Sequence, residues 1–290
     1  MFKTESFVSE KVWGYERWIL STHADGESKV DAKVEFIGGK PLSSVIGDNY
    51  PLLVKVIQAD ETLSVQVHPD DEYARIHENS AGKTECWYIL DAQENASLIY
   101  GLNGIYDKTE LRRAIENQSL DGYLRSVPVS KGDFIFIPAG TVHAIKGGLR
   151  LLEIQQSSNI TYRLYDWGRP REVHVEKGLD VIKQVRPDSL STEHPFSGSF
   201  SCPYFLLEKY DYTARGSVCF AQKTASDQKH TPAMKTSWLS LFIISGTGTA
   251  ESNTGERISL KAEDCIIVEA EEKITLIPDA GSTLSVMHIS

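Results

Sequence analysis

Short apolar runs recur along this chain between clusters of Gly, Asn, Asp and Ser. They fall at Leu52–Ile57, Leu63–Val67, Cys86–Leu90, Phe134–Ile137 and Leu149–Ile154. Runs of this length, bounded by turn formers, predict strands buried on at least one face. Two segments read as helix instead. Pro69, followed by Asp70, Asp71 and Glu72, suits a first turn, because Pro needs no donor there and acids favour the positive helix end. That helix is expected to end near Glu78. The second spans Asp107–Asn117, with Glu110 completing a capping box and Leu111 and Ile115 on one face. A further short turn is expected before Val127.

The polar, Pro-bearing stretch Lys183–Ser199 reads as a linker. Beyond it the strand pattern resumes at Tyr204–Leu207, Val218–Ala221, Leu239–Ile244, Ile258–Leu260, Cys265–Val268 and Ile274–Ile277. Turn signals at Gly246–Gly248, Asn253–Gly255 and Pro278–Gly281 separate these runs. Many short strands with such punctuation predict a mainly β protein of barrels or sandwiches. The expected division is a β-barrel domain with helical insertions over residues 1–182 and a smaller β domain over 200–290.

Composition narrows the partners. The 290 residues are 41% hydrophobic and 24% charged, ordinary values for a globular chain with a sizeable core. The formal net charge of −10 repels nucleic acid and anionic lipid, so neither is an expected partner. A small anionic substrate still fits if Lys and Arg gather in a cleft. The start shows no basic segment leading into an apolar one, and no apolar run is long enough to span a bilayer. A cytoplasmic protein is therefore expected. Cys86, Cys202, Cys219 and Cys265 are widely spaced and read as reduced, structural cysteines. The oligomeric state is left open.

Four stretches carry candidate chemistry. On a strand, Leu63, Val65 and Val67 share one face while Ser64, Gln66 and His68 share the other. Gln66 and His68 are metal-capable groups pointing the same way, although a polar solvent face would look alike. In Gly82–Tyr88, Lys83 and Glu85 share a face with Trp87, pairing a cation ligand with a positive charge; Cys86 faces oppositely. In Lys131–His143, a Gly-Asp turn and a short apolar strand lead to Pro138-x-Gly140-x-x-His143. Pro138 ends the strand, Gly140 permits a tight turn and His143 re-enters. Together Gln66, His68, Glu85 and His143 offer two nitrogens and two oxygens to one ion, a set that suits Zn²⁺ and also admits Mn²⁺, Fe²⁺ or Co²⁺. Gln66 could instead be an outer donor, leaving a site of two His and one Glu. The last stretch, Glu153–Gly168, places Glu153 opposite in face to Leu152 and Ile154 and sets Arg163 in a Tyr-rich segment. A structural ion pair with Asp166 is the plainer role for Arg163.

The Pro138–His143 pattern resembles the second motif of the cupin barrels. Val12-Trp-Gly14, Leu63–Asp71, Gly82–Tyr88, Pro138–His143 and Thr161–Trp167, in that order, resemble the type I phosphomannose isomerases. The resemblance implies a cupin-type jelly roll, with the second domain a degenerate relative lacking a metal site. It also implies one zinc ion per chain and reversible conversion of mannose 6-phosphate to fructose 6-phosphate, a step of carbohydrate metabolism. By motif position, Gln66, His68, Glu85 and His143 are then metal ligands and Arg163 the active-site arginine. Ser64, Lys83 and Glu153 fall at pocket positions. Ser64, Lys83 and Arg163 are expected to touch the phosphosugar, and Glu153 is the candidate base. An iron-dependent oxygenase or a sugar-binding cupin without catalysis are the rival expectations. The chain departs from many relatives in its short lead at Trp13–Trp18 and in having no Pro-x-Gly-x-x-His after residue 200.

Overall fold

The computed structural model describes residues 1–186, 190, 192–219, 238–269 and 272–290. The chain forms two compact units. A central unit comprises residues 8–17 and 53–196, and a terminal unit comprises residues 1–7, 18–52 and 197–290.

Two antiparallel sheets build the central unit. The larger runs in the order Thr192–Glu193, Phe134–Ile137, Glu85–Ala92, Leu149–Gln156, Leu52–Ala59, Gly14–Leu20 and Phe7–Lys11. The smaller runs Leu124–Pro128, Ser97–Leu102, His143–Ile145, Val65–Val67 and Tyr162–Tyr165. Strand alternation decides where each side chain goes. Leu98 and Tyr100 join Trp87, Ile89, Ile135, Ile137, Ile145 and Leu151 in one buried cluster between the sheets. Ile99, one residue out of phase, joins Val65, Val67, Ala144 and Leu164 in a second cluster. That cluster packs against Leu111, Ala114 and Ile115 of one helix and Leu179 and Val181 of another.

Both expected helices form. The first spans Asp71–His77, and Asp70 caps it by accepting from the Tyr73 amide at 3.1 Å. Pro69 therefore lies just outside, because a carboxylate that satisfies an orphan amide makes the better cap. The second spans Lys108–Glu116, with Asp107 accepting from the Glu110 amide at 2.8 Å. A 3-10 turn at Leu120–Tyr123 follows, before Val127 as the sequence suggests. The helix Val175–Val181 is too short to show in the apolar pattern.

The stretch 183–199 is not a free linker. Leu190 is buried in the cluster between the sheets, Thr192 and Glu193 pair with Ile135 and Phe134, and Phe196 stacks on Phe134 at 4.7 Å. Two apolar anchors in a polar segment suffice to hold it, and its polar composition hid them.

In the terminal unit, one sheet takes the order Ser199–Ser201, Leu206–Tyr212, Leu284–Ile289, Trp238–Ser245, Cys265–Glu269, Phe2–Glu5 and Lys29–Val30. The other holds Gly216–Cys219, Lys273–Pro278, Thr247–Ser252 and Arg257–Lys261. Leu241, Ile243, Ile266, Val268, Leu276, Leu284 and Val286 form its core. The expected strand Val218–Ala221 is seen as Gly216–Cys219; Phe220 and Ala221 lie outside the described residues. The first strand of the chain belongs here: Phe2 pairs with Ile267.

Candidate metal centre

Strand register brings the candidate residues together. Across the smaller sheet, Tyr100 lies opposite His143, His143 opposite Gln66, and Gln66 opposite Arg163. Residues directly opposite share a face, so these four form one row. In the larger sheet, Glu85 lies opposite Gln155, and Trp87 opposite Glu153. The two rows meet between the sheets. Glu85 Oε1 is 3.3 Å from His143 Nε2, and Glu85 Oε2 is 3.6 Å from His68 Nε2. Cys86 takes the other face, opposite Phe136 and Ile154, as the alternation predicts.

The turn before His143 follows from its sequence. Gly140 has φ +92°, and a Cβ there would come within 2.8 Å of the Val181 carbonyl oxygen. Its amide donates to the His68 carbonyl at 2.8 Å, tying the turn to the neighbouring ligand. Only glycine fits both demands without strain.

Hydrogen bonds fix the tautomers. His68 Nδ1 lies 2.8 Å from the Ile160 carbonyl oxygen, and His143 Nδ1 lies 2.8 Å from that of Thr141. A carbonyl only accepts, so each Nδ1 carries the proton and each Nε2 presents a lone pair to the centre. Burial above all, with the charge of Lys83 and the neighbouring imidazole, holds His68 well below the usual histidine range. Burial likewise lowers His143 to about 4. Both rings are neutral at neutral pH.

Glu85 is fully buried, and burial raises its carboxyl to about 7 despite the opposing charge of Lys83. Lys83 Nζ sits 2.7 Å from Glu85 Oε2 and 3.0 Å from His68 Nε2. Even so, neither Glu85 oxygen receives a well-directed hydrogen bond. His68, Glu85 and His143 offer ligand atoms within 4.8 Å of one another, the one such group among the described residues. A divalent ion with ligands about 2 Å away could gather these atoms after small side-chain rotations. A buried carboxylate paired with Lys83, short of directed donors and facing two imidazole lone pairs, is an arrangement that can hold a further cation. The Gln66 amide is 3.3 Å from His143 Nε2 and half-buried, so it borders the same point.

The remaining expected residues are placed less uniformly. Ser64 is buried two residues before Gln66 on the same face. Glu153 accepts from Trp87 Nε1 at 3.0 Å through one oxygen and lies 3.0 Å from Lys55 Nζ through the other. Burial alone would raise its carboxyl, but Lys55, Lys83 and the indole outweigh it and bring it down to about 2. Arg163 is half-buried; its guanidinium donates to the Glu172 carbonyl at 2.8 Å, while its buried Nε has no hydrogen-bond partner. The plainer role for Arg163 does not hold. Asp166 instead pairs with Arg171 at 2.6 Å and Arg169 at 2.8 Å. Lys55 escaped the sequence reading. Its signal was a single Lys inside the apolar run Leu52–Ile57, where an unpaired ammonium would be costly.

Residues 8–97 match the model of the family described as phosphomannose isomerase type I, catalytic domain. Over 228 residues the chain is 41% identical to mannose-6-phosphate isomerase ManA of Bacillus subtilis (strain 168), covering 70% of this chain and 71% of that relative. The chain belongs to the type I phosphomannose isomerase family. A second member, the mannose-6-phosphate isomerase of Streptococcus mutans serotype c, is 38% identical over 217 residues, 63% of this chain and 68% of the relative. The crystal structure of the mannose 6-phosphate isomerase from Bacillus subtilis matches the fold with a TM-score of 0.81 at 30% identity. That match covers 100% of this chain and 99% of the other, so the cupin-type fold of the phosphomannose isomerases is the fold seen here. The stretch matched by the family model holds Gln66, His68, Lys83 and Glu85, whereas His143, Glu153 and Arg163 lie beyond it.

Proposed function

We propose that this phosphomannose isomerase family member interconverts mannose 6-phosphate and fructose 6-phosphate at the His68–Glu85–His143 centre, with one divalent metal ion bound. The observation that carries this reading is the buried trio itself, with a carboxylate lacking directed donors and two histidines whose tautomers leave Nε2 unprotonated and turned to the same point. Two neutral nitrogens and one carboxylate favour Zn²⁺ first, with Mn²⁺, Fe²⁺ and Co²⁺ as alternatives. Gln66 is the fourth donor in this proposal. When bound, such an ion supplies positive charge that stabilises negative charge on sugar oxygens.

The side chains divide the remaining work. Moving a carbonyl from C1 to C2 takes a proton from one carbon and returns it to the neighbour, through an enediolate. Glu153, ionised beside Lys55 and the Trp87 indole, is assigned to receive that proton. Arg163, opposite Gln66 in register, is assigned to the developing negative charge. Lys83 and Ser64 are assigned to holding the phosphosugar. Arg169 and Arg171 are committed to Asp166, and Lys83 and Arg163 are assigned as cations for an anionic substrate. We assign catalysis to the central unit, and a cytoplasmic setting fits a phosphorylated sugar. No helix among the described residues is long and apolar enough to cross a membrane.

The test is a coupled assay with mannose 6-phosphate on purified protein, before and after chelation and after zinc readdition. Fructose 6-phosphate formation that disappears with chelator and returns with zinc is the expected result. Fully metallated protein that turns over no mannose 6-phosphate would refute the assignment.

A further inference from the structure

The wall of the central unit near Glu153 carries a second charged arrangement that metal binding does not require. Lys55 is 3% exposed, on the strand Leu52–Ala59. Its Nζ lies 3.0 Å from Glu153 Oε1 and 3.9 Å from Glu16 Oε2, the latter on the neighbouring strand Gly14–Leu20. The side chains of Lys55 and Glu153 are 4% and 3% exposed, and that of Glu16 is 13% exposed. A lysine held this far from water needs carboxylate partners, since one buried charge left alone is strongly unfavourable. The opposite oxygen of Glu153 is taken by Trp87 Nε1 at 3.0 Å. Glu153 is thereby held by a hydrogen bond at one oxygen and by an ion pair without a directed hydrogen bond at the other.

Alternation of sign continues toward the metal centre. From Glu16 the order runs through Lys55 and Glu153 to Lys83, which couples electrostatically to Glu153 and sits 2.7 Å from Glu85.

We infer that Lys55 is a positioning residue that aims and fixes the Glu153 carboxylate, and that Glu16 acts on the reaction only by holding Lys55. This rests on the isomerase reading and on Glu153 as proton carrier. A residue that acts through another shows itself by non-additivity. Lys55→Met should lower kcat on the order of a hundredfold, the scale of a misplaced acid–base group, with KM and bound metal nearly unchanged. Glu16→Gln should lower kcat several-fold in the wild-type background and have no effect when added to Lys55→Met. Lys55→Arg, which keeps a donor and a charge, should recover part of the loss.

The double-mutant cycle is run at one pH on the metal-loaded full chain, with metal content and melting temperature recorded for each variant. If Lys55→Met fails to fold, the comparison of Glu16→Gln with Lys55→Arg still decides, because both retain buried neighbours. In parallel, the indole N–H resonance of Trp87, assigned by its loss in Trp87→Phe, reports on Glu153 without any turnover. It should move in Lys55→Met and in Glu16→Gln. Equal effects of Glu16→Gln in both backgrounds, a change confined to KM, or an unmoved indole resonance would overturn the inference. Wild-type protein inert toward mannose 6-phosphate would instead refute the isomerase reading, and the indole shifts would then still judge the positioning of Glu153.

Discussion

The two units of this chain are both built from paired antiparallel sheets, yet their interiors differ in kind. In the terminal unit, the apolar cluster of Leu241, Ile243, Ala250, Leu260, Ile266, Val268, Ile274, Leu276, Leu284 and Val286 is accompanied, among the described residues, by buried Ser, Thr and His288 but by no buried Lys, Arg, Asp or Glu. In the central unit, Lys55, His68, Lys83, Glu85, His143 and Glu153 are all buried beside a comparable apolar cluster. Architecture is shared; inward-facing chemistry is not. Each buried charge in the central unit costs desolvation that a leucine would not, so it persists only with compensating partners. For Lys55 and Glu153 those partners are protein groups. For Glu85 the protein supplies Lys83 at 2.7 Å, and the trio it forms with His68 and His143 is incomplete without the cation proposed above.

The largest effect should come from removing that incomplete group. Glu85→Gln is expected to lower kcat/KM at least about a thousandfold, roughly 4 kcal/mol of transition-state stabilisation, with loss of bound metal measured by elemental analysis. Burial raises Glu85 from 4.5 to about 7, so the folded form binds the proton more tightly than the unfolded form. The stabilisation from that proton is complete below pH 4.5 and fades as pH rises through about 7. Chelated wild type should therefore lose up to ~3 kcal/mol between pH 4.5 and 8 from this group. Urea unfolding at both pH values should show the slope in wild type and its absence in Glu85→Gln. An equal slope in both would mean that Glu85 is not the strained carboxyl.

A core substitution in the other unit should show the converse. Leu241 is fully buried among apolar neighbours, and Leu241→Ala is expected to cost about 2–5 kcal/mol of stability. Its kcat/KM, measured well below the melting temperature, should stay within about twofold of wild type, because no described group of the metal centre belongs to that cluster. A large loss of turnover with metal content intact would show that the terminal unit contributes to catalysis beyond its own folding.

The same contrast sets what was legible in the sequence. Period-two alternation located Ser64, Gln66 and His68 on one face and exposed Glu85 against Cys86, because register on a half-buried strand is fixed by its apolar partners. Turn chemistry gave the approach to His143 through Gly140, and capping chemistry gave both helices. What stayed hidden depends on contacts distant in sequence. Phe2 and the terminal sheet are separated by most of the chain, and the polar stretch before Phe196 is held by two apolar anchors. Lys55 was visible only as an anomaly in an apolar run, since its partners Glu16 and Glu153 lie on other strands. Spacing offers Arg163, Arg169 and Arg171 alike to Asp166, and only the folded geometry selects the last two.

The smallest expected effect concerns Gln66, which stands at the border between ligand and neighbour. Its amide reaches His143 Nε2 at 3.3 Å, but it is half-buried and contributes no charge, unlike the trio that surrounds the centre. Gln66→Ala should therefore weaken metal binding about tenfold, the lower end for groups that support a metal site without carrying its charge. Gln66→Glu distinguishes the two positions. If the amide oxygen faces the ion, a carboxylate in its place adds attraction at contact distance and tightens metal binding above wild type. If the amide only braces His143, the new carboxylate is an additional half-buried charge near Glu85, and affinity stays level or falls. A competition titration with a chelating dye on both variants separates these outcomes, and tighter binding by Gln66→Glu alone would make Gln66 a direct donor.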